Sequence, residues 1–267
     1  MSSGVVAILG CGRLGSAIIE GWLKTGAVAP ERLIILTPSS KPVAEAAAAR
    51  GARINPPPEA QSGIETLVVA VKPAMWRSAG APIEPALADD ATVVSVMAGV
   101  RAGSLSEVFG AHPVARVMPT TGVARARGVA SIWAASEAAR GAAHDLFDAI
   151  AETVDIPVEN LMDAVTAVSG SGPAYFHAFT AALAAAGAAE GLPEETALQL
   201  ARATLRSAAS GVDGDDSLDD LIARVASPGG TTRAGLEALD RDAAMSRAVR
   251  AAVEAATRRA GELANDA

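Results

Sequence analysis

The apolar run Val5-Val6-Ala7-Ile8-Leu9 ends in Gly10-Cys11-Gly12-Arg13-Leu14-Gly15 and continues as Ser16-Ala17-Ile18-Ile19-Glu20-Gly21-Trp22. A buried strand, a tight turn and a helix follow one another there, with glycines spaced G-x-G-x-x-G. In a βαβ unit the first glycine permits the turn, the second lets a pyrophosphate approach the backbone, and the third lets the helix pack closely on the strand. The helix start then offers unbonded N–H groups to an anion. Three spaced glycines in a chain holding 25 also fit a plain structural turn. Their position, after the first strand and at the start of the first helix, favours the nucleotide reading. Gly10 and Gly15 have the outer spacing of a P-loop as well, but Ser16 stands where that motif requires lysine, which argues against a nucleoside triphosphatase.

A second strand is expected over Arg32–Leu36, leading into Thr37-Pro38-Ser39-Ser40-Lys41. An acid at this strand end selects the unphosphorylated cofactor by bonding the ribose hydroxyls. Here the position holds Thr37, with Ser39, Ser40 and Lys41 behind it. Hydroxyl donors and a cation suit a 2′-phosphate, so NADPH is expected ahead of NADH. A helix from Val43 to Arg50, a short strand at Ala52–Ile54 and the continuous strand Thr66–Val71 follow, the last ending in Lys72-Pro73. Ligands bind beyond the carboxyl ends of such strands, which puts Ala70, Val71 and Lys72 beside the cofactor. Thr92–Gly99 and Pro113–Met118 read the same way, and small residues at Ala98 and Gly99 leave room for a ring. A strand over Val129–Ala134 and a helix over Glu137–Thr153 complete a doubly wound, mainly parallel sheet.

The pattern changes after Pro157. From Glu159 onward only alanine-rich helical patterns are found, over 159–166, 173–190, 193–210, 217–225 and 231–264. The expected organisation is therefore an α/β Rossmann domain at 1–157 and an all-α domain at 158–267. Helices apolar on more than one face are buried or shared with a partner, so the second domain is expected to form a dimer interface. Two glycine-serine stretches precede helices in this half, Ser169–Tyr175 and Ser227–Thr232. Each clusters backbone N–H groups at a positive dipole end, which suits a carboxylate and equally describes an interhelical turn.

Composition narrows the partners. A formal net charge of −8 gives no basic footprint for nucleic acid and repels an anionic membrane, leaving small molecules or further copies of the chain. The single cysteine, Cys11, allows no internal disulfide and no cysteine-built metal site. No export leader precedes the first strand, so a cytoplasmic location is expected. His112, His144 and His177 lack metal-ligand spacing, and no metal is expected. No G-x-S-x-G elbow is present, which disfavours a serine hydrolase.

The chain resembles the pyrroline-5-carboxylate reductase family over nearly its whole length. The resemblance runs through the opening glycine turn, Ala70-Val71-Lys72-Pro73, Ser95–Gly99, Arg116-Val117-Met118-Pro119, Asp163–Thr166, Ser169–Tyr175, Gly191-Leu192-Pro193 and Ser227–Thr232. It implies NAD(P)H-dependent reduction of L-1-pyrroline-5-carboxylate to L-proline, the last step of proline biosynthesis, by a homodimer or a ring of dimers. Carried over by position, Ile8, Leu9, Gly10, Cys11, Gly12, Arg13, Leu14, Thr37, Ser39, Ser40, Ala70, Val71, Lys72, Pro73 and Met97 look like cofactor contacts. Ala98, Glu159, Ser171, Gly229, Gly230, Thr231 and Thr232 look like the substrate pocket, with Thr232 as the catalytic hydroxyl.

Two departures stand out. Thr120-Thr121-Gly122 replaces the family's usual Asn-Thr-Pro, and Arg13-Leu14-Gly15 replaces a common Asn-Met-Ala. A related Rossmann imine or hydroxyacid reductase, or a cofactor-binding regulator without turnover, is the alternative. A hydroxyacid enzyme of this build would carry a lysine in the first long interdomain helix, and Ser169–Glu190 contains none.

Overall fold

The computed structural model describes residues 4–265. The opening run forms β1 (Val5–Leu9), and α1 (Arg13–Thr25) follows directly on the glycine turn. That helix stops at Gly26, whose left-handed conformation lets its N–H bond the Trp22 carbonyl and close the last turn. The chain continues as β2 (Leu33–Leu36), α2 (Pro42–Ala48), β3 (Arg53–Ile54), β4 (Ile64–Val69), α3 (Trp76–Gly80), β5 (Leu87–Ser95) and α4 (Ala102–Phe109). After these come β6 (Val114–Pro119), β7 (Gly128–Ala134), α5 (Glu137–Phe147) and β8 (Ala151–Asp155).

The eight strands form one sheet in the order β3-β2-β1-β4-β5-β6-β7-β8. Neighbours are parallel except β7, which runs against β6. Alternation along the strands sorts the core into two layers. Val6 and Ile8 face Ile18, Trp22, Val43 and Phe147 on one side, while Ala7 and Leu9 face Trp76, Leu105 and Phe109 on the other. Strands buried on both faces read as continuous apolar runs, which is why the central ones are visible in the sequence. The fully buried Trp22 donates its indole N–H to the Leu146 carbonyl at 2.8 Å and ties α1 to α5.

Three expectations are corrected. The helix expected over Glu137–Thr153 ends at Phe147, and the chain turns to form the edge strand β8. The strand expected to run through Gly99 ends at Ser95, so Met97, Ala98 and Gly99 lie in the following turn, with Gly99 at φ +79. The helix expected over 231–264 is two helices, α10 (Thr231–Leu239) and α11 (Ala244–Asn265). Asp242 and Ala243 take positive φ between them. Asp240 then accepts from the Ser246 N–H at 3.1 Å and the Ser246 hydroxyl at 3.2 Å, restarting the helix.

By contacts the chain divides into two units, residues up to Gly170 together with those from Ala255, and Ser171–Glu254. The first unit ends its main run with α6 (Met162–Val165) and one wider helical turn over Thr166–Gly170. The second holds α7 (Gly172–Ala189), α8 (Glu194–Gly211), α9 (Leu218–Val225), α10 and the start of α11. Gly187 makes room for Leu192 in the loop between α7 and α8, since a Cβ there would lie 3.3 Å from its side chain. No helix among the described residues is long and apolar enough to cross a membrane.

Candidate active site

Backbone bonds draw the carboxyl ends of β1, β2, β4 and β5 together. Gly10 N donates to Leu36 O at 2.8 Å, Ala70 N to Leu9 O at 2.8 Å, and Val96 N to Val69 O at 3.1 Å. Ile8 and Leu9 close β1 as buried core, and Gly10 turns the chain at φ +107. A Cβ on Gly10 would stand 2.7 Å from the Ala70 carbonyl, and one on Gly15 would stand 2.1 Å from the Gly10 carbonyl. Gly12 is different: it is exposed, and a Cβ there would meet nothing within 4 Å. The first intrahelical bond is Ser16 N to Gly12 O, so the amides of Arg13, Leu14 and Gly15 precede it, and no acid occupies the first turn. Open space before unbonded amides at a helix start fits a pyrophosphate. Cys11 is buried, with its Sγ 3.4 Å from the Ser16 hydroxyl.

At the end of β2 the loop expected to meet the 2′-phosphate is held from behind. Asn55, at φ 44, accepts from Thr37 N at 2.8 Å and donates to Thr37 O at 2.7 Å. Thr37 is itself buried and donates its hydroxyl to Ser39 O at 3.1 Å. Its side chain therefore shapes the loop, and Pro38, Ser39 and Ser40 are exposed. The Ser40 hydroxyl bonds Glu45. Beyond β4, Lys72 is exposed and Ala70, Val71 and Pro73 are half-buried. Beyond β5, Met97 is buried and Ala98 half-buried.

Glu159 lies in this same unit, on the short turn before α6. Its Oε1 accepts from the Ala102 N–H at 2.7 Å and from Arg116 Nη1 at 3.0 Å. The resemblance puts Glu159 in the substrate pocket and says nothing of its pairing with the buried Arg116. Burial pushes the Arg116 pKa down, while Glu159 first and Asp163 next pull it back up.

In the helical unit, Ser171 precedes α7, and Gly229 at φ +70 leads to Gly230, the residue before α10. Gly230 N bonds Ser227 O at 3.0 Å, and Ala234 N reaches back to Gly230 O at 3.3 Å. The amides of Thr231, Thr232 and Arg233 lie between these two bonds, at the positive end of the helix. Thr231 is exposed and Thr232 half-buried. A cavity of about 370 Å³ opens elsewhere in the first unit, lined in part by Val6, Arg32, Thr66, Thr92 and Asp145. It sits at the amino ends of the strands, the edge opposite the glycine turn. No group of three or more His, Cys, Asp or Glu that could hold a metal occurs among the described residues.

Residues 159–263 match the family model for pyrroline-5-carboxylate reductase dimerisation, and residues 5–99 match that for NADP oxidoreductase, coenzyme F420-dependent. The pyrroline-5-carboxylate reductase of Synechocystis is 34% identical over 97% of this chain and 97% of its own. That of Thermus thermophilus is 35% identical over 97% and 98%. The chain belongs to the pyrroline-5-carboxylate reductase family. Its fold also matches the crystal structure of Plasmodium falciparum pyrroline carboxylate reductase with NADP bound, with TM-score 0.84, 27% identity and 99% coverage of both chains.

Against the usual pattern of pyrroline-5-carboxylate reductases, the Thr120 substitution now has a structural account. Thr120 is buried, and its Oγ1 accepts from Val129 N at 3.0 Å while its own N donates to Val129 O at 2.9 Å. The hydroxyl fastens the start of β7. Asn55 and Arg116 were not singled out as site residues from the sequence. A lone charge inside the apolar strand 114–118 was the available signal for Arg116, and an asparagine before Pro56-Pro57-Pro58 was a weak one for Asn55.

Proposed function

We propose that this protein reduces L-1-pyrroline-5-carboxylate to L-proline, with NADPH as the preferred reductant and NADH as the alternative. One observation carries the reading: the relatives named pyrroline-5-carboxylate reductase are matched along nearly their full lengths, not over a cofactor domain alone. Bound NADPH supplies the hydride that reduces the C=N carbon.

The chain's own groups bind and orient. When the cofactor is bound, the turn Gly10–Leu14 that follows Ile8 and Leu9 would hold its pyrophosphate, with the unbonded amides of Arg13 and Leu14 as donors, and Ser39, Ser40 and Lys41 would take the 2′-phosphate on a loop shaped by Thr37. Ala70–Pro73 and Met97 would line the nicotinamide end of the bound cofactor, with the exposed Lys72 available to its ribose and the small Ala98 leaving room for the substrate ring. The corner formed by Gly229 and Gly230 presents the substrate carboxylate with the unbonded Thr231 amide, and the Thr231 and Ser171 hydroxyls complete its binding. The Thr232 hydroxyl hydrogen-bonds the ring nitrogen, and Glu159 offers its second oxygen to the positive charge that nitrogen carries when protonated. Fixing both partners at reactive distance is worth effective molarities of about 10⁵ M or more in well-aligned systems.

We assign cofactor binding to 1–157 and dimerisation with substrate binding to 158–267, in a cytoplasmic homodimer or ring of dimers. The exposed Phe176, Phe179 and Leu183 on α7 support such an interface. The test is a spectrophotometric assay with both cofactors. NADPH oxidation on addition of the pyrroline carboxylate is expected; binding of NADPH without oxidation overturns the reading in favour of a sensor.

A further inference from the structure

Arg116 sits in the middle of β6 with 2% of its surface exposed, between the buried apolar residues Ala115 and Val117. Removing a guanidinium from water is unfavourable by several kcal/mol unless it is paired. Among the described residues its one ion-pair partner is Glu159, and its Nε has no hydrogen-bond partner. The strand and the carboxylate are therefore tied by a single link of 3.0 Å.

That link reaches further than the pair. The oxygen that takes Arg116, Oε1, also takes the Ala102 N–H at the start of α4. The preceding residue, Arg101, donates to Asn160 Oδ1 at 3.1 Å and lies 3.6 Å from Asp163. The segment Glu159–Asp163 is thus fastened at two consecutive residues to the turn that carries Met97 and Ala98. Both hydrogen bonds of Glu159 end on Oε1. Oε2 takes none among the described residues, and the side chain is 21% exposed. A glutamate with three rotatable bonds does not divide its oxygens in this way unaided, because fixing such a side chain forfeits up to about 2 kcal/mol of rotamer entropy. Arg116 Nη1 and the Ala102 amide together pin Oε1, which leaves Oε2 as the outward oxygen.

We infer that Arg116 is a positioning residue, which orients Glu159 so that one oxygen locks the turn after Ala98 and the other is presented to the substrate nitrogen. The inference rests on the proposed reductase activity for its substrate half. The turn-locking half stands on the geometry of this unit alone.

The experiment compares the full-length wild type with Arg116→Lys, Glu159→Gln and the double variant. Lysine keeps the buried charge and so preserves folding, but replaces the Nη1 donor with an ammonium on a shorter, flexible stem. Arg116→Lys is expected to raise KM for the pyrroline carboxylate about tenfold, with kcat and NADPH affinity changed less than about twofold, the pattern of lost ground-state placement. In the Glu159→Gln background the same change should move KM by less than about twofold, since the two residues act as one unit. Deuterium exchange at the Ala102 amide should quicken about tenfold in each single variant, reporting easier local opening. An equal KM effect in both backgrounds overturns the inference, as does an unchanged KM. So does a parallel fall of KM performance, kcat, NADPH affinity and melting temperature, which marks a structural pair only. If the wild type oxidises no NADPH, the functional reading fails instead, and the exchange measurement decides this one, with unchanged exchange overturning it.

Discussion

The Asn55 carboxamide closes a two-bond ring on the backbone of Thr37, accepting from its N–H at 2.8 Å and donating to its carbonyl at 2.7 Å. Asn55 reaches this geometry at φ 44, a left-handed conformation that asparagine tolerates better than most residues. The loop bearing Ser39 and Ser40 is thereby fixed from beneath. Asn55→Ala removes both bonds and leaves alanine in an unfavourable conformation. It should raise KM for NADPH about fivefold while changing that for NADH less than about twofold, as expected when only the groups placed for the 2′-phosphate move. Steady-state kinetics with the two cofactors provide the check.

Gly10 combines φ +107 with a hypothetical Cβ only 2.7 Å from the Ala70 carbonyl. Gly10→Ala therefore meets both backbone strain and a clash with main chain that cannot rotate away. A stability loss of about 2 kcal/mol or more is expected, together with loss of NADPH binding. Denaturant unfolding and a cofactor fluorescence titration would measure the two effects.

Much of this architecture was legible because its signals are local. The glycine turn, the buried strands β4 to β6 and the proline and glycine bounds of α7 and α8 all announce themselves within a few residues. What was missed depends on distant or unmarked features. β8 is an edge strand with half-buried and exposed residues, so it follows an alanine-rich helix without the apolar run that betrays a central strand. The break at Asp242 and Ala243 uses left-handed residues that are neither glycine nor proline, and is stabilised by Asp240 from outside the corner. Arg116 and Glu159 stand 43 positions apart, and no periodicity connects them. For Glu159, the residue type could be assigned to the pocket while its division between two hydrogen bonds could not.

Thr232→Ala tests the proposed hydroxyl. The Thr232 side chain is half-buried in the first turn of α10, so its removal leaves the helix and its amides in place. A fall of about 10- to 100-fold in kcat/KM is expected with NADPH affinity unchanged, the scale of one hydrogen bond made to the reacting group. Full retention of catalytic efficiency would remove Thr232 from the mechanism.

Phe176, Phe179 and Leu183 are spaced along one stripe of α7 and are 65%, 49% and 43% exposed. A contiguous apolar stripe of this kind marks an association surface. Phe176→Glu with Phe179→Glu should yield a monomer by analytical ultracentrifugation, with the wild type expected to sediment as a dimer or larger. The isolated monomer should retain NADPH binding through its Rossmann unit.

His144 supplies a pH dependence. Its Nδ1 lies 2.8 Å from Asp148 Oδ1 and its Nε2 3.4 Å from Asp155 Oδ1, with Arg140 also on Asp155 and Thr153 donating to Asp148. The hydrogen bond with Asp148 is the main cause of a raised pKa, aided by the charges of Asp148 and Asp155 against a smaller opposing effect of burial. A base favoured in its charged form by folding adds stability that is fully present below the ordinary value of 6.5 and is lost as pH rises through the raised one. Melting temperature should therefore decline as pH rises above the ordinary histidine value of 6.5, and His144→Gln should flatten that decline.

The reversal of β7 relative to β6 has a practical corollary. Because β7 and β8 finish beside the beginnings of the earlier strands, the bend at Ala135-Ser136 emerges on the far rim from the glycine turn. A reporter dye attached there, through a cysteine introduced at Ser136 after Cys11 is replaced, would follow the fate of the sheet during unfolding without obstructing entry of either reactant.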